Sequence, residues 1–60
     1  MKLLTFDDFY VVFIWHDAEW RVAGVFRHIH GCTEAESASV SNLPWRARQV
    51  IAEIIGDPNP

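Results

Sequence analysis

Phe9-Tyr10-Val11-Val12-Phe13-Ile14-Trp15 is an unbroken run of seven apolar or aromatic residues in a chain of 60. It is dense in β-branched and aromatic side chains and far short of the roughly 20 residues a membrane helix needs, so it reads as a strand. Successive side chains of a strand point to opposite faces, so a strand apolar throughout needs cover on both. The rest of the chain offers one helix, between about Val40 and Ile55. One helix covers one face, and the other face is expected to meet another chain.

Length sharpens that expectation. Sixty residues make one domain, spanning 1–60, and a chain of this size buries only about 60% of its unfolded surface, which leaves it marginal without a disulfide, a metal or a partner. Cys32 is the single cysteine, so no intrachain disulfide forms. Asp7 and Asp8 interrupt the apolar run that starts at Leu3, and no signal peptide is expected. The chain reads as cytoplasmic, with no membrane span. Eight acidic against five basic side chains give a formal charge of −3, which lacks the basic footprint of an autonomous nucleic-acid binder.

After the first strand, His16-Asp17-Ala18-Glu19 forms a short polar break, and Trp20 to Phe26 resumes as a second strand, making a hairpin. If Trp15 pairs with Trp20, Phe13 faces Val22, Val11 faces Gly24 and Phe9 faces Phe26. One side of the hairpin then carries Phe9, Val11, Phe13, Trp15, Trp20, Val22 and Phe26. The other carries Tyr10, Val12, Ile14, Arg21, Ala23 and Val25, with Asp8 and Arg27 at its end. The first set is the natural helix-packing face. The second, apolar at its centre and charged at its ends, has the anatomy of a protein interface. Met1 to Asp8 stays ambiguous between a turn and a brief helical cap.

Gly31 marks a turn, and the alternation of Cys32 to Ser37 predicts a short third strand. Ser39 is an N-cap for a first helical turn, Val40 to Leu43, and Pro44 sets that turn off from the main helix. Pro44 to Ile55 is the main helix, ended by Gly56 and Asp57-Pro58-Asn59-Pro60. Leu43, Ala47, Val50, Ile51 and Ile54 fall on one stripe of it, with Trp45, Arg48 and Ala52 roughly opposite. Trp45 either stands out beside Arg48 as an interface anchor or folds over the Pro44 turn onto the core edge.

Strand, polar hairpin, strand, Gly31-Cys32 turn, short strand and helix is the order found in HicB-like antitoxin domains. Trp20-Arg21-Val22-Ala23 followed by Ile29-His30-Gly31-Cys32 resembles that family's tryptophan-valine-alanine strand and its proline-glycine-cysteine turn, with His30 in place of the proline. Thr33-Glu34-Ala35-Glu36-Ser37 resembles a threonine-glutamate-alanine stretch of one HicB-like subgroup, and Leu43, Arg48, Val50 and Ile51 match the helix pattern. The resemblance spans about 9–55. It implies an α+β domain, a curved antiparallel sheet with a helix on one side, that neutralises a small RNA-cleaving toxin. The C-terminal DNA-binding segment usual in the family has no counterpart before Pro60, so DNA binding is not carried over.

These readings predict a three-stranded antiparallel sheet in β-β-β-α order with one C-terminal helix, forming a dimer through the sheet. The expected activity is non-enzymatic protein binding, to itself and to a toxin, through Tyr10, Val12, Ile14, Arg21, Val25, Arg27, Trp45 and Arg48, with no cofactor and no metal. An alternative partner is a host protein bound by a phage-derived remnant. A further alternative is a structural metal site, because His28, His30 and Cys32 alternate along an extended segment and imidazole with thiolate suits zinc, with His16 or Asp57 as a fourth ligand. His16, Asp17 and Glu19 place an imidazole and two carboxylates in the hairpin tip, but an exposed tip has no walls to exclude water, and no catalysis is expected there.

Overall fold

The structure, a computed structural model, describes residues 1–31 and 33–57. It is an α+β fold: strands β1 (Lys2–Phe6), β2 (Phe9–His16), β3 (Glu19–His28) and β4 (Ala35–Ser37), a 3-10 turn (Val40–Asn42) and helix α1 (Trp45–Gly56). The strands form one antiparallel sheet in the order β1-β2-β3-β4, each next to its sequence neighbour. Among the described residues no helix is long and apolar enough to cross a membrane.

The sheet has four strands where three were expected, because Lys2–Phe6 is a strand. Its side chains alternate between half-buried Lys2, Leu4, Phe6 and exposed Leu3, Thr5, the period-2 pattern of a strand with one covered face. Phe6 pairs with Phe9, so Asp7-Asp8 is a two-residue hairpin connection, and Asp7 takes a positive φ of 49°, which aspartate tolerates better than most residues. The second hairpin is tighter than the four-residue break expected. His16 pairs with Glu19, and Asp17 and Ala18 have φ of 52° and 61°, the pattern of a type I′ turn whose twist matches that of the strands. The third expected strand contracts to Ala35–Ser37, paired with Phe26, Arg27 and His28; its start at Cys32 lies outside the described residues.

The β2–β3 register departs from a simple ladder in one place, and the faces change with it. Trp15 pairs with Trp20 and Phe13 with Val22, as the alternation predicts, but Val12 then pairs with Gly24, Val11 with Val25, Tyr10 with Phe26 and Phe9 with Arg27. The irregularity lies between Val12 and Phe13, and Ala23 is the extra residue of a β-bulge. Beyond it every side chain of β3 is exchanged between faces relative to an unbroken ladder. Val25, expected on the outer face, is 6% exposed and belongs to the core, whereas Phe26, expected in the core, is 36% exposed. Arg27 likewise moves to the helix side, its guanidinium carbon 5.8 Å from the centroid of the Phe9 ring. Gly24 sits at the bulge with the Phe26 ring laid over it, so close that an added Cβ would lie 2.8 Å from Phe26 Cε2.

The core is small. Val11, Phe13, Trp20 and Val25 from the sheet meet Leu43, Ala47 and Ile51 from the helical segment, with Leu4, Phe6, Phe9, Trp15, Val22, Ala38 and Ile54 packed around them. The stripe expected on the helix is the one buried: Leu43, Ala47 and Ile51 are fully covered and Val50 and Ile54 half-covered. Before the helix, the Ser39 N–H donates to Asn42 Oδ1 at 2.9 Å and the Asn42 N–H to the Ser39 carbonyl at 2.9 Å, which closes the 3-10 turn and drops Leu43 into the core. Pro44 follows as the helix N-cap, where its missing N–H costs no helical bond.

Candidate functional site

Because α1 and Leu43 close one side of the sheet, attention falls on the other. Alternation from the buried Val11 and Phe13 places Tyr10, Val12, Ile14 and His16 of β2 on this outer face. The ladders add Leu3 and Thr5 from β1, Glu19, Arg21, Gly24, Phe26 and His28 from β3, and Ala35 and Ser37 from β4. Thr5, Tyr10, Phe26 and Ser37 form one row across the sheet, and Leu3, Val12 and Gly24 the next. Leu3 is 62% exposed and Ile14 42%. Five neighbouring side chains, Leu3, Tyr10, Val12, Ile14 and Phe26, thus make a contiguous apolar centre, the kind of surface that marks an interaction site.

Polar groups bound this centre at both ends. At one end the His30 imidazole Nε2 donates to Asp8 Oδ2 at 2.9 Å, the His28 N–H donates to the Asp8 carbonyl at 2.7 Å, and Tyr10, His28 and His30 stack edge to face with centroid separations of 6.4 and 6.0 Å. At the other end Arg21 reaches Glu19 at 2.8 Å and Asp17 at 3.7 Å, with His16 Nδ1 3.3 Å from Asp17. These ion pairs are exposed and contribute little to stability, but they fix where charge sits on the face.

Of the residues expected at the interface, Tyr10, Val12, Ile14 and Arg21 share the outer face. Val25 and Arg27 do not: the bulge turns both to the helix side. Leu3 and Phe26 take their place, Leu3 because Lys2–Phe6 is a strand and Phe26 because of the bulge at Ala23. Their signals were present in the polar pair Asp7-Asp8 between two phenylalanines, a hairpin pattern, and in Gly24 isolated within a strand, a bulge pattern.

Trp45 and Arg48 lie on the opposite side of the molecule. Trp45 is 66% exposed at the first position of α1, with exposed Arg46 and Arg48 in the same turn. It stands out from the helix rather than folding over Pro44.

Of the metal alternative, Cys32 lies outside the described residues, and among the described residues no group of three His, Cys, Asp or Glu side chains is placed to hold a metal ion. His16, Asp17 and Glu19 sit on an open tip with Arg21 between the carboxylates. Among the described residues there is no pocket. Trp15 and Trp20 meet edge to face at 5.3 Å, a cross-strand packing pair with Trp20 in the core.

Fold and surfaces together define a class: a small α+β protein whose antiparallel meander is closed by a helix on one side and open on the other. No protein-family model, no curated protein and no solved structure matches the chain.

Proposed function

We propose that this chain is a HicB-like, non-enzymatic interaction module of the cytoplasm that acts by binding protein surfaces. The partner implied by the sequence resemblance is a small RNA-cleaving toxin. The observation that carries the reading is the outer sheet face, where Leu3, Tyr10, Val12, Ile14 and Phe26 form an apolar centre that no element of the described fold covers. An apolar centre with a charged margin is how interfaces are built. Trp45 with Arg46 and Arg48 supplies a second, separate surface, of the residue types that dominate interface hot spots. Of the two surfaces, Trp45 with its arginines is the one assigned to the toxin.

The test begins with the neighbouring open reading frame. A small basic protein encoded there is purified, its cleavage of RNA measured, and this chain added. The reading expects cleavage to be suppressed at equimolar ratio, with the two chains co-eluting and Trp45→Ala weakening the complex. Unaltered cleavage with no complex, or the absence of any such gene, would rule out the toxin.

A further inference from the structure

We infer that the outer sheet face is closed by a second copy of this chain, in a two-fold sheet-on-sheet stack with the two helices outermost. The inference rests on the reading of the chain as an interaction module and names the occupant of its sheet face. Three observations lead to it.

The first is extent. Strands of five, eight, ten and three residues, at about 3.3 Å per residue and 4.8 Å between strands, give a flat face of roughly 400 Å² before side-chain relief is counted. Two such faces bury about 800 Å² as flat areas, and the relief of Leu3, Tyr10, Ile14 and Phe26 brings this to about the 1,000 Å² at which specific interfaces begin.

The second is charge self-complementarity, which an isologous interface requires. A two-fold relating stacked faces must lie in the plane between them. With its axis across the strands, through Val12 and Gly24, Asp8 lies over His16 of the partner copy, Glu19 over His28, Tyr10 over Ile14 and Arg21 over the Phe26 ring. With its axis along the strands, between β2 and β3, Asp8 lies over His28 and Glu19 over His16. Both arrangements set Asp8 and Glu19 each against an imidazole, which can donate to it, and neither sets these two carboxylates against each other or themselves. A surface for an unrelated partner has no reason to match its own inverse.

The third is the core. Seven buried side chains among the described residues are few for a domain of this length, and the outer face holds five further apolar side chains, Leu3, Tyr10, Val12, Ile14 and Phe26, outside that core. Stacking two faces turns Val12, Ile14, Tyr10 and Phe26 into a second core shared by both copies. The helices then lie on opposite outer sides of a four-layer assembly, so that each dimer presents two equivalent Trp45 surfaces.

The experiment is sedimentation equilibrium on the full chain over a hundredfold range of concentration, with circular dichroism to report folding. The wild type is expected at twice the chain mass. Ile14→Lys and, as a second variant, Tyr10→Lys change side chains outside the core, and a folded variant of either kind is expected to weaken association about tenfold or more, while Trp45→Ala leaves it unchanged. A wild type that stays monomeric, or a folded Ile14→Lys chain that dimerises as the wild type does, overturns the inference. Monomer that still binds the neighbouring gene's product in an Ile14-dependent way overturns the dimer alone and spares the interaction reading.

Discussion

The bulge makes a prediction that an unbroken hairpin reverses. Val25 is 6% exposed, pairs with Val11 and belongs to the core cluster that includes Ile51, while Phe26 is 36% exposed and lies over Gly24. Val25→Lys would bring an unpaired ammonium into this core, with an effective penalty of several kcal/mol after relaxation. A chain of 60 residues has a total stability of about 3–9 kcal/mol at typical values per residue. Val25→Lys is therefore expected to abolish or nearly abolish folding. Phe26→Lys loses the transfer free energy of a ring about two-thirds covered, roughly 1–2 kcal/mol. The lysine stem can lie over Gly24 with its charge in water and return part of this, for a net cost of about 1 kcal/mol. Urea unfolding followed by tryptophan fluorescence measures both, Trp20 being buried. Phe26 also lies on the face inferred to take a second copy, so the comparison is made at low protein concentration, where association adds least. A Phe26→Lys chain that cannot fold beside a Val25→Lys chain that folds normally would refute the bulged register.

Further outcomes follow from single positions. Ala18 holds a left-handed φ of 61° that costs an L-residue about 1–2 kcal/mol, so Ala18→Gly should stabilise by about 0.5–1 kcal/mol after the added unfolded-state entropy, read as a raised thermal midpoint. Phe13, wholly buried, should cost about 3–5 kcal/mol as Phe13→Ala, enough to prevent cooperative unfolding from being observed at all. Trp45→Ala should change thermal stability by less than about 0.5 kcal/mol, because the side chain is largely in water, while lowering affinity for the proposed toxin partner; a large loss of stability would mean that Trp45 is structural.

Strong periodicity is plain in the sequence, whereas its interruptions leave only local marks, Asp7-Asp8 between two phenylalanines and Gly24 within a strand. The helix stripe of Ala47, Ile51 and Ile54 follows from 3.6-residue spacing, and the Trp15–Trp20 pair follows from a short polar break between two apolar runs. Val25 and Phe26 were misplaced because alternation counts residues, and a single bulge at Ala23 shifts the count for everything beyond it. The strand Lys2–Phe6 was hidden because five residues hold only two and a half periods, and Asp7-Asp8 suits a helical cap as well as a turn. The outer face is therefore legible along β2 and scrambled along β3, and its apolar centre gains Leu3 and Phe26 only in three dimensions. The Cys32 segment and the charged tip attracted chemistry in the sequence because metal-binding and acid–base residue types cluster there. Geometry decides the tip, which is open to water with Arg21 already paired to its carboxylates, while Cys32 lies outside the described residues.

Whether a second protein surface completes the sheet is tested most directly by the thermal midpoint of the wild-type chain as a function of its own concentration. If a second copy covers Tyr10, Val12, Ile14 and Phe26, unfolding is coupled to dissociation and the midpoint rises steadily with concentration, and Ile14→Lys abolishes that dependence. A midpoint constant across a hundredfold range, identical in slope to that of Ile14→Lys, would contradict it.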